Sequence, residues 1–212
     1  MTASHETKSP TVFVIDDDQD IREALQSLLR SVGLRVELFA SVQEFIDRAS
    51  PDGHGCLVLD VRLPGRSGLD FHDDLIKESM HLPVVFISGH ADIPMSVRAM
   101  KAGAVEFLTK PVRHQDLLDA IYLAIERDQA RRDGERSVAG LHAGFESLTP
   151  REREVLALVA AGLLNKQIAA QIGISEATVK LHRGQVMRKM QARTLADLIR
   201  MADKLELSRP KT

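Results

Sequence analysis

Asp17, Asp60, Ser88 and Lys110 each stand at or just past the end of a short apolar run. The runs are Val12–Ile15 before Asp16 and Asp17, Cys56–Leu59 before Asp60, Val84–Ile87 before Ser88, and Val105–Leu108 just before Lys110. Short runs of this kind, separated by helical patterns, read as buried strands of a parallel sheet. In an open α/β sheet, ligand chemistry gathers at the carboxyl ends of the strands. An acidic pair, a third carboxylate, a hydroxyl and an ammonium therefore converge on one spot. Crowded carboxylates raise one another's pKa unless a cation relieves them. Magnesium suits such a set, because it is a hard ion held by one or two carboxylates, water and phosphate oxygens. An aspartate can attack a phosphoryl group and hold it as an acyl phosphate. Asp60 ends the middle strand of this reading and is the candidate nucleophile. Magnesium and Lys110 would neutralise the equatorial oxygens, and Ser88 would donate a hydrogen bond to the phosphate. Lys110 precedes Pro111, and a cis bond there would aim the lysine back into the pocket, although most X–Pro bonds are trans. A rival chemistry is a phosphatase with an aspartyl nucleophile, for which Asp16 and Asp18 have the two-residue spacing. That reading leaves Asp60 unexplained.

The elements that must position these groups follow from periodicity. Strands are expected at Thr11–Ile15, Arg35–Phe39, Cys56–Asp60, Val84–Ser88 and Val105–Thr109. Helical spacing links Ile21, Ala24, Leu25, Leu28 and Leu29, and more weakly Leu69, Leu75 and Ile76. It links Val97, Met100 and Ala104, and then Leu117, Leu118, Ile121 and Ile125. Strict alternation predicts a doubly wound α/β domain over residues 10–126, with the flavodoxin-like strand order a common solution. Residues 127–147 are polar and glycine-spotted and read as a linker, helical up to Arg132 and flexible beyond it.

From Leu148 the pattern is helices only. Thr149–Pro150–Arg151–Glu152 has the form of a capped start. A first helix runs to about Ala161, a second covers Asn165–Ile172 and stops at Gly173, and Ser175 caps a third that runs to about Met190. A fourth runs from Thr194 or Leu195 to about Leu205. Helix, glycine turn, helix is the sequence form of a helix-turn-helix, whose second helix enters the major groove of DNA. Lys180, His182, Arg183 and Arg188 lie on its exposed side and can reach phosphates or base edges. Charge agrees. Residues 1–126 carry 12 basic against 20 acidic side chains, a net of −8, whereas residues 148–212 carry 12 against 6, a net of +6. RNA binding is disfavoured by the helix-turn-helix and by the 4% aromatic content.

VFVIDDD, CLVLDVRLPGRSGLD, VVFISGHAD and AVEFLTKP resemble the receiver domain of two-component response regulators over about residues 10–126. The resemblance implies that Asp60 is the phosphoacceptor, that Asp17 and Asp60 ligate Mg2+ directly, that Arg62 adds a backbone carbonyl, and that Asp16 acts through water. It makes Ser88 the switch hydroxyl, Phe107 the switch aromatic and Lys110 the phosphate-binding lysine. Phe107 stands where some members carry Tyr. LTPREREVLALVAAGLLNKQIA, GISEATVKLHRGQVMRKM and TLADLIRMA resemble the LuxR-type DNA-binding domain over residues 148–207, and the whole chain is similar to FixJ-like regulators of the NarL/FixJ family. Position-matching places Lys180, Leu181 and Gly184 toward bases, with His182 and Arg183 beside them. Lys166, Thr178, Arg188 and Lys189 are then phosphate contacts. Gly184 departs from the longer polar residue of some relatives, at a helix cost of about 1 kcal/mol.

The resemblance implies a regulator rather than an enzyme. Its partners would be a sensor histidine kinase, double-stranded promoter DNA and RNA polymerase. Phosphorylation at Asp60 would let Ser88 move inward and Phe107 turn in. The face formed by Ile93–Ala102, Val105–Thr109 and Leu117–Ile125 would then pair with a second copy. Ile93, Pro94, Val97 and Met100 are the apolar residues expected there, unless they pack on the sheet instead. A constitutive DNA-binding protein with a receiver used only for dimerisation remains open. The sequence has one cysteine, Cys56, so no disulfide framework is expected, and its place inside an apolar run reads as a buried small hydrophobe. MTASHETKSP has no apolar stretch of a signal peptide, and no segment has the length of a membrane span, so a cytoplasmic, membrane-free protein is expected. The histidines show no paired metal spacing, and only His90 is placed near the switch loop.

Overall fold

The computed structural model describes residues 9–49, 54–89 and 93–205. His90 lies outside the described residues. The chain divides into two compact units, residues 1–132 and 133–212.

The first unit is a five-stranded parallel sheet with helices between the strands. Its strands are β1 (Thr11–Ile15), β2 (Arg35–Phe39), β3 (Gly55–Asp60), β4 (Val84–Ser88) and β5 (Glu106–Thr109), in the order β2-β1-β3-β4-β5. This is the flavodoxin-like order. The intervening helices are α1 (Gln19–Ser31), α2 (Val42–Arg48), α3 (Gly68–Lys77) and α4 (Ile93–Lys101), followed by α5 (His114–Glu146). β1, β3 and β4 are buried along their whole length, because helices cover both faces. The strands carry apolar side chains on both faces for that reason. One face packs Phe13, Leu57, Leu59 and Phe86 against Phe45, Phe71 and Leu75. The other packs Val12, Val14, Val58 and Ile87 against Leu25, Leu29, Leu117 and Ile121. Cys56 is fully buried within this second core, and burial pushes its thiol up to about 12. At ordinary pH it is a neutral packing group.

Register does the positioning. Ile15 pairs with Leu59, Asp60 with Ile87, and Ser88 with Thr109. The residues that leave these strands therefore emerge within one residue of the same row. Gly68, the first residue of α3, closes the β3–α3 loop against that row. Its N–H donates to the Val61 carbonyl at 3.0 Å. A Cβ there would lie 2.2 Å from the carbonyl oxygen of Asp60, so only glycine permits the approach.

The linker expectation is corrected in one respect. The stretch after Arg132 is helical, since α5 continues to Glu146. Gly134, Gly140 and Gly144 argued against a helix, at about 1 kcal/mol each relative to Ala. Leu141 and Phe145, with Leu148 beyond the helix end, supply the counter-signal at spacings of four and three, and they pack onto the second unit's core. Within the first unit, α5 is clasped by Asp128, whose side chain is fully buried. The carboxylate accepts from His54 Nδ1 at 3.0 Å, Gly55 N at 3.0 Å, Arg131 at 2.6 Å and Arg132 Nε at 2.8 Å. Burial alone would raise its pKa, but these four donors hold it below the usual value.

The second unit is helical. α6 (Pro150–Ala160), α7 (Asn165–Ile172), α8 (Glu176–Lys189) and α9 (Leu195–Lys204) enclose Val155, Leu156, Ile168, Val179, Val186 and Leu198. The Thr149 start is a full capping box with Glu152, and a second box joins Thr194 to Asp197. Leu164 at the N-cap of α7 has no side-chain acceptor, and only the return bond from its N–H to Gln167 at 2.8 Å is made.

Candidate functional site

Asp16 and Asp17 follow β1, Asp60 ends β3, Ser88 ends β4 and Lys110 follows β5. Lys110 Nζ donates to Asp16 Oδ2 at 2.7 Å and to Asp60 Oδ2 at 2.6 Å. Asp60 Oδ1 accepts from Arg62 N at 2.9 Å, and Asp16 Oδ1 accepts from Asp18 N at 3.0 Å. Both carboxylates are almost wholly buried, at 0% and 5% exposed, while Asp17 faces solvent. Burial lifts the Asp16 carboxyl above its usual range despite Lys110. Burial works against the Lys110 ammonium, yet its two carboxylate partners hold its pKa above the ordinary value. The Lys110–Pro111 peptide bond is cis. One oxygen from each of Asp16, Asp17 and Asp60 lies within 4.8 Å of the others. Such a set of hard oxygen donors, open to solvent at Asp17, fits a magnesium ion that keeps part of its water shell.

Ser88 is fully buried, and its carbonyl accepts from Lys110 N at 2.8 Å. Phe107 is half-buried beside Phe86, with ring centroids 6.2 Å apart. Asp18 is the N-cap of α1 and accepts from Asp20 N and Ile21 N, so it serves the helix. Two positioning groups carried no sequence signal. Arg22 donates to the Asp16 carbonyl at 2.6 Å, and Gly68 sets the loop beside Asp60.

On α4, Ile93, Pro94, Val97 and Met100 are exposed, while Met95 and Ala99 pack on the sheet core. Arg98 ties α4 to α3 through Asp70 at 2.7 Å and Asp73 at 2.6 Å. Of the α5 segment Leu117–Ile125, Leu117 and Ile121 are buried, and Tyr122 and Leu123 remain exposed.

The second unit sorts the expected DNA contacts into two groups. Ser175 Oγ accepts from Thr178 N at 3.1 Å and starts α8 after the left-handed Gly173. Lys180, Leu181, Gly184 and Arg188 lie exposed along one side of α8, and Lys166 is exposed on α7. Thr178 and His182 are half-buried, and the Thr178 hydroxyl is 2.8 Å from Ser175 Oγ. Arg183 is turned inward and donates to Asn165 Oδ1 at 2.5 Å. Lys189 donates to Glu152 Oε2 at 2.7 Å and to the Ser147 carbonyl at 3.1 Å. Burial alone would raise the Glu152 pKa, but Lys189 and the Thr149 bonds hold it below its usual value.

Comparison with known proteins matches both units. Residues 12–122 match the family model for the response regulator receiver domain, and residues 146–202 match that of bacterial regulatory proteins of the luxR family. Nodulation protein W of Bradyrhizobium diazoefficiens is 56% identical over 93% of this chain and 87% of its own. Response regulator protein TodT of Pseudomonas putida is 46% identical over 94% and 88%. Transcriptional regulatory protein FixJ of Azorhizobium caulinodans is 42% identical over 92% of each chain. Among solved structures, the response regulator StyR is 49% identical over 92% of this chain and 99% of its own, with a TM-score of 0.85. Full-length FixJ from B. japonicum is 40% identical over 95% and 98%, with a TM-score of 0.57. Two-component signalling of this kind implies a histidine kinase and DNA as partners, and the family consists of transcription regulators, not enzymes. The chain belongs to the NarL/FixJ family of two-component response regulators, with a receiver domain followed by a LuxR-type helix-turn-helix.

Proposed function

We propose that Asp60 accepts a phosphoryl group from a histidine kinase and that the resulting homodimer binds promoter DNA and activates transcription. The observation that carries this reading is the Asp60 carboxylate, nearly buried at a strand end, with Lys110 Nζ 2.6 Å away and two further aspartates beside it. In the transfer, a carboxylate oxygen of Asp60 forms the new P–O bond, the P–N bond of a phosphohistidine breaks, and the freed imidazole takes a proton. Asp17 and Asp60, with the Arg62 carbonyl, would hold Mg2+, and Asp16 would act through water. The ion supplies positive charge opposite the transferring phosphoryl group. Lys110 then moves from bridging two carboxylates to meeting a phosphate oxygen. Ser88 supplies a hydroxyl to the phosphate, and Phe107 turns toward the space that Ser88 leaves.

This change re-forms the face of α4, β5 and the exposed part of α5, where Ile93, Val97 and Met100 stand clear of the core. Two copies joined there place two α8 helices on two half-sites. In each unit, Lys180, Leu181 and Gly184 face bases. Lys166 and Arg188 meet phosphates, with Thr178 and His182 at the edge of the contact. Arg183 and Lys189 reach DNA only by leaving Asn165 and Glu152, so we assign them to holding α7 and α6 in place. Residues 10–126 form the receiver and 148–207 the DNA-binding domain, joined by 127–147. No described helix is long and apolar enough to cross a membrane. A cytoplasmic location and contact with RNA polymerase complete the proposal.

The test is incubation of the protein with Mg2+ and acetyl phosphate, followed by intact mass and sedimentation. A gain of one phosphoryl group and a shift to dimer are expected, both lost in Asp60→Asn. If Asp60→Asn binds promoter DNA and activates transcription as the wild type does, the phospho-switch is wrong.

A further inference from the structure

We propose that the receiver domain binds a small monocarboxylate with a compact apolar body, in a cleft at the end of the sheet opposite Asp60. The cleft has a volume of about 230 Å³ and lies where β4 and β5 begin, walled by α3, the α4–β5 turn and α5. Asp60 ends β3 and the strands are parallel, so a strand's length separates the cleft from the acidic pocket. His72, His81, Arg127 and Arg131 are its polar side chains, and no acidic residue lines it.

His72 is the group that points to a ligand. Its ring is 5% exposed and packs edge-on against Phe86. Burial lowers its pKa, so at pH 7 the ring is neutral and carries a single N–H. Nδ1 is sealed from water and has no hydrogen-bond partner among the described residues, whereas Nε2 is not sealed. The N–H therefore belongs on Nε2, since a sealed donor without a partner is costly. Arg127 and Arg131 stand one turn apart on α5 and share a side of it. Arg131 is half-buried and bonded to Asp128 at 2.6 Å, which fixes its guanidinium before any ligand arrives. Arg127 is exposed and forms no ion pair among the described residues. Guanidinium and imidazole donors with no acid among them favour an anion, and a planar carboxylate matches a guanidinium through two parallel N–H···O bonds. Ile76, Leu82 and Val105 make the rest of the wall apolar. The volume is below the roughly 300–1,000 Å³ of sites for drug-sized molecules, which limits the apolar body to about six carbons.

Calorimetric titration of the full-length protein with cyclohexanecarboxylate, in a buffer free of phosphate and other carboxylates, tests this. Saturable binding is expected. Acetate, which lacks the apolar body, and cyclohexylmethanol, which lacks the charge, should each bind at least about tenfold more weakly. Arg127→Ala should weaken binding about tenfold, as expected for a lost charge-assisted contact. Arg127 is exposed, so the variant should fold, and matched urea unfolding checks that it does. Amide NMR shifts on titration should fall at Gly103, Val105 and Arg131 and spare Asp17 and Asp60. The proposal is overturned if no saturable binding is seen at millimolar ligand, or if acetate, inorganic phosphate or the alcohol binds as well as the probe. It is also overturned if Arg127→Ala binds as the wild type does, or if the shifts gather around Lys110, the rival cation for a carboxylate.

Discussion

Lys110→Met isolates the electrostatics of the acidic pocket. In the folded protein the ammonium lies 2.7 Å from Asp16 and 2.6 Å from Asp60. Removing it strands two carboxylates that are 0% and 5% exposed and whose oxygens lie within 4.8 Å of each other. At an effective dielectric constant of about 20, their repulsion alone is about 3 kcal/mol. Breaking a buried ion pair by deleting one partner costs about 3–5 kcal/mol in general. The receiver domain should therefore lose about 3 kcal/mol at pH 8. Burial already lifts the Asp16 carboxyl above its unfolded value. In the variant its protonated form is favoured further, so the folded state binds a proton that the unfolded state releases. Stability then recovers as pH falls toward the folded-state pKa of Asp16. Millimolar Mg2+ should restore part of it at pH 8 by binding the folded state. Tyr122, the single tyrosine, lies on α5 within the receiver, so its fluorescence during urea unfolding reports on that domain. A loss that is the same at pH 8 and pH 5.5, and the same with and without Mg2+, would refute the argument.

Gly68→Ala places a methyl 2.2 Å from the Asp60 carbonyl, so the loop must shift. A loss of about 1–3 kcal/mol and slower phosphorylation by acetyl phosphate are expected, measured by urea unfolding and phosphoprotein mass. Asp128→Asn should cost about 3 kcal/mol at pH 7 by uncoupling His54, Arg131 and Arg132. The wild-type Asp128 pKa is held below 3.8, so this contribution is present above that value and fades as pH falls through the folded pKa. The variant and wild type should thus converge in acid unfolding curves. His72 is buried, packs edge-on against Phe86 and has an Nδ1 without a hydrogen-bond partner among the described residues. Burial holds its pKa below 6.5, so wild-type stability should drop as pH falls below 6.5, and His72→Met should flatten that drop in melts from pH 7 to 5. Leu164→Ser should raise the stability of the DNA-binding domain by about 1 kcal/mol in thermal melts, by supplying the missing N-cap acceptor.

The buried strands were legible because both faces are covered, which turns a strand into an uninterrupted apolar run. Their ends were legible to one residue. β3 begins at Gly55, which has no side chain to mark it, and β5 begins at Glu106 because Val105 precedes the ladder. The capped starts at Thr149 and Ser175 were readable from local chemistry alone, and the structure shows both caps. The helix beyond Arg132 was not, because three glycines lowered the local helix signal while Leu141 and Phe145 owe their helix to packing. In the pocket, residue types at strand ends were enough to bring Asp16, Asp17, Asp60 and Lys110 together. Arg22 and Gly68 were invisible, since one acts from a long side chain and the other by having none. The same limit applies on α8. Periodicity puts Lys180 and Arg183 on a basic helix, but it does not say that Asn165 turns Arg183 inward.

The eight residues from Asp133 to Gly140 are helical yet all exposed, and they carry two of the glycines of α5. Nothing in these two turns is held by burial, whereas the residues on either side belong to separate cores. Local opening here costs little compared with unfolding of either domain. A trypsin-like protease meeting this stretch finds Arg136 within it. A single nick at that point would part the receiver domain from the helix-turn-helix domain without cutting either core. Substitutions that firm this stretch, such as Gly134→Ala, should therefore slow the severing of the chain while leaving both cores as they are.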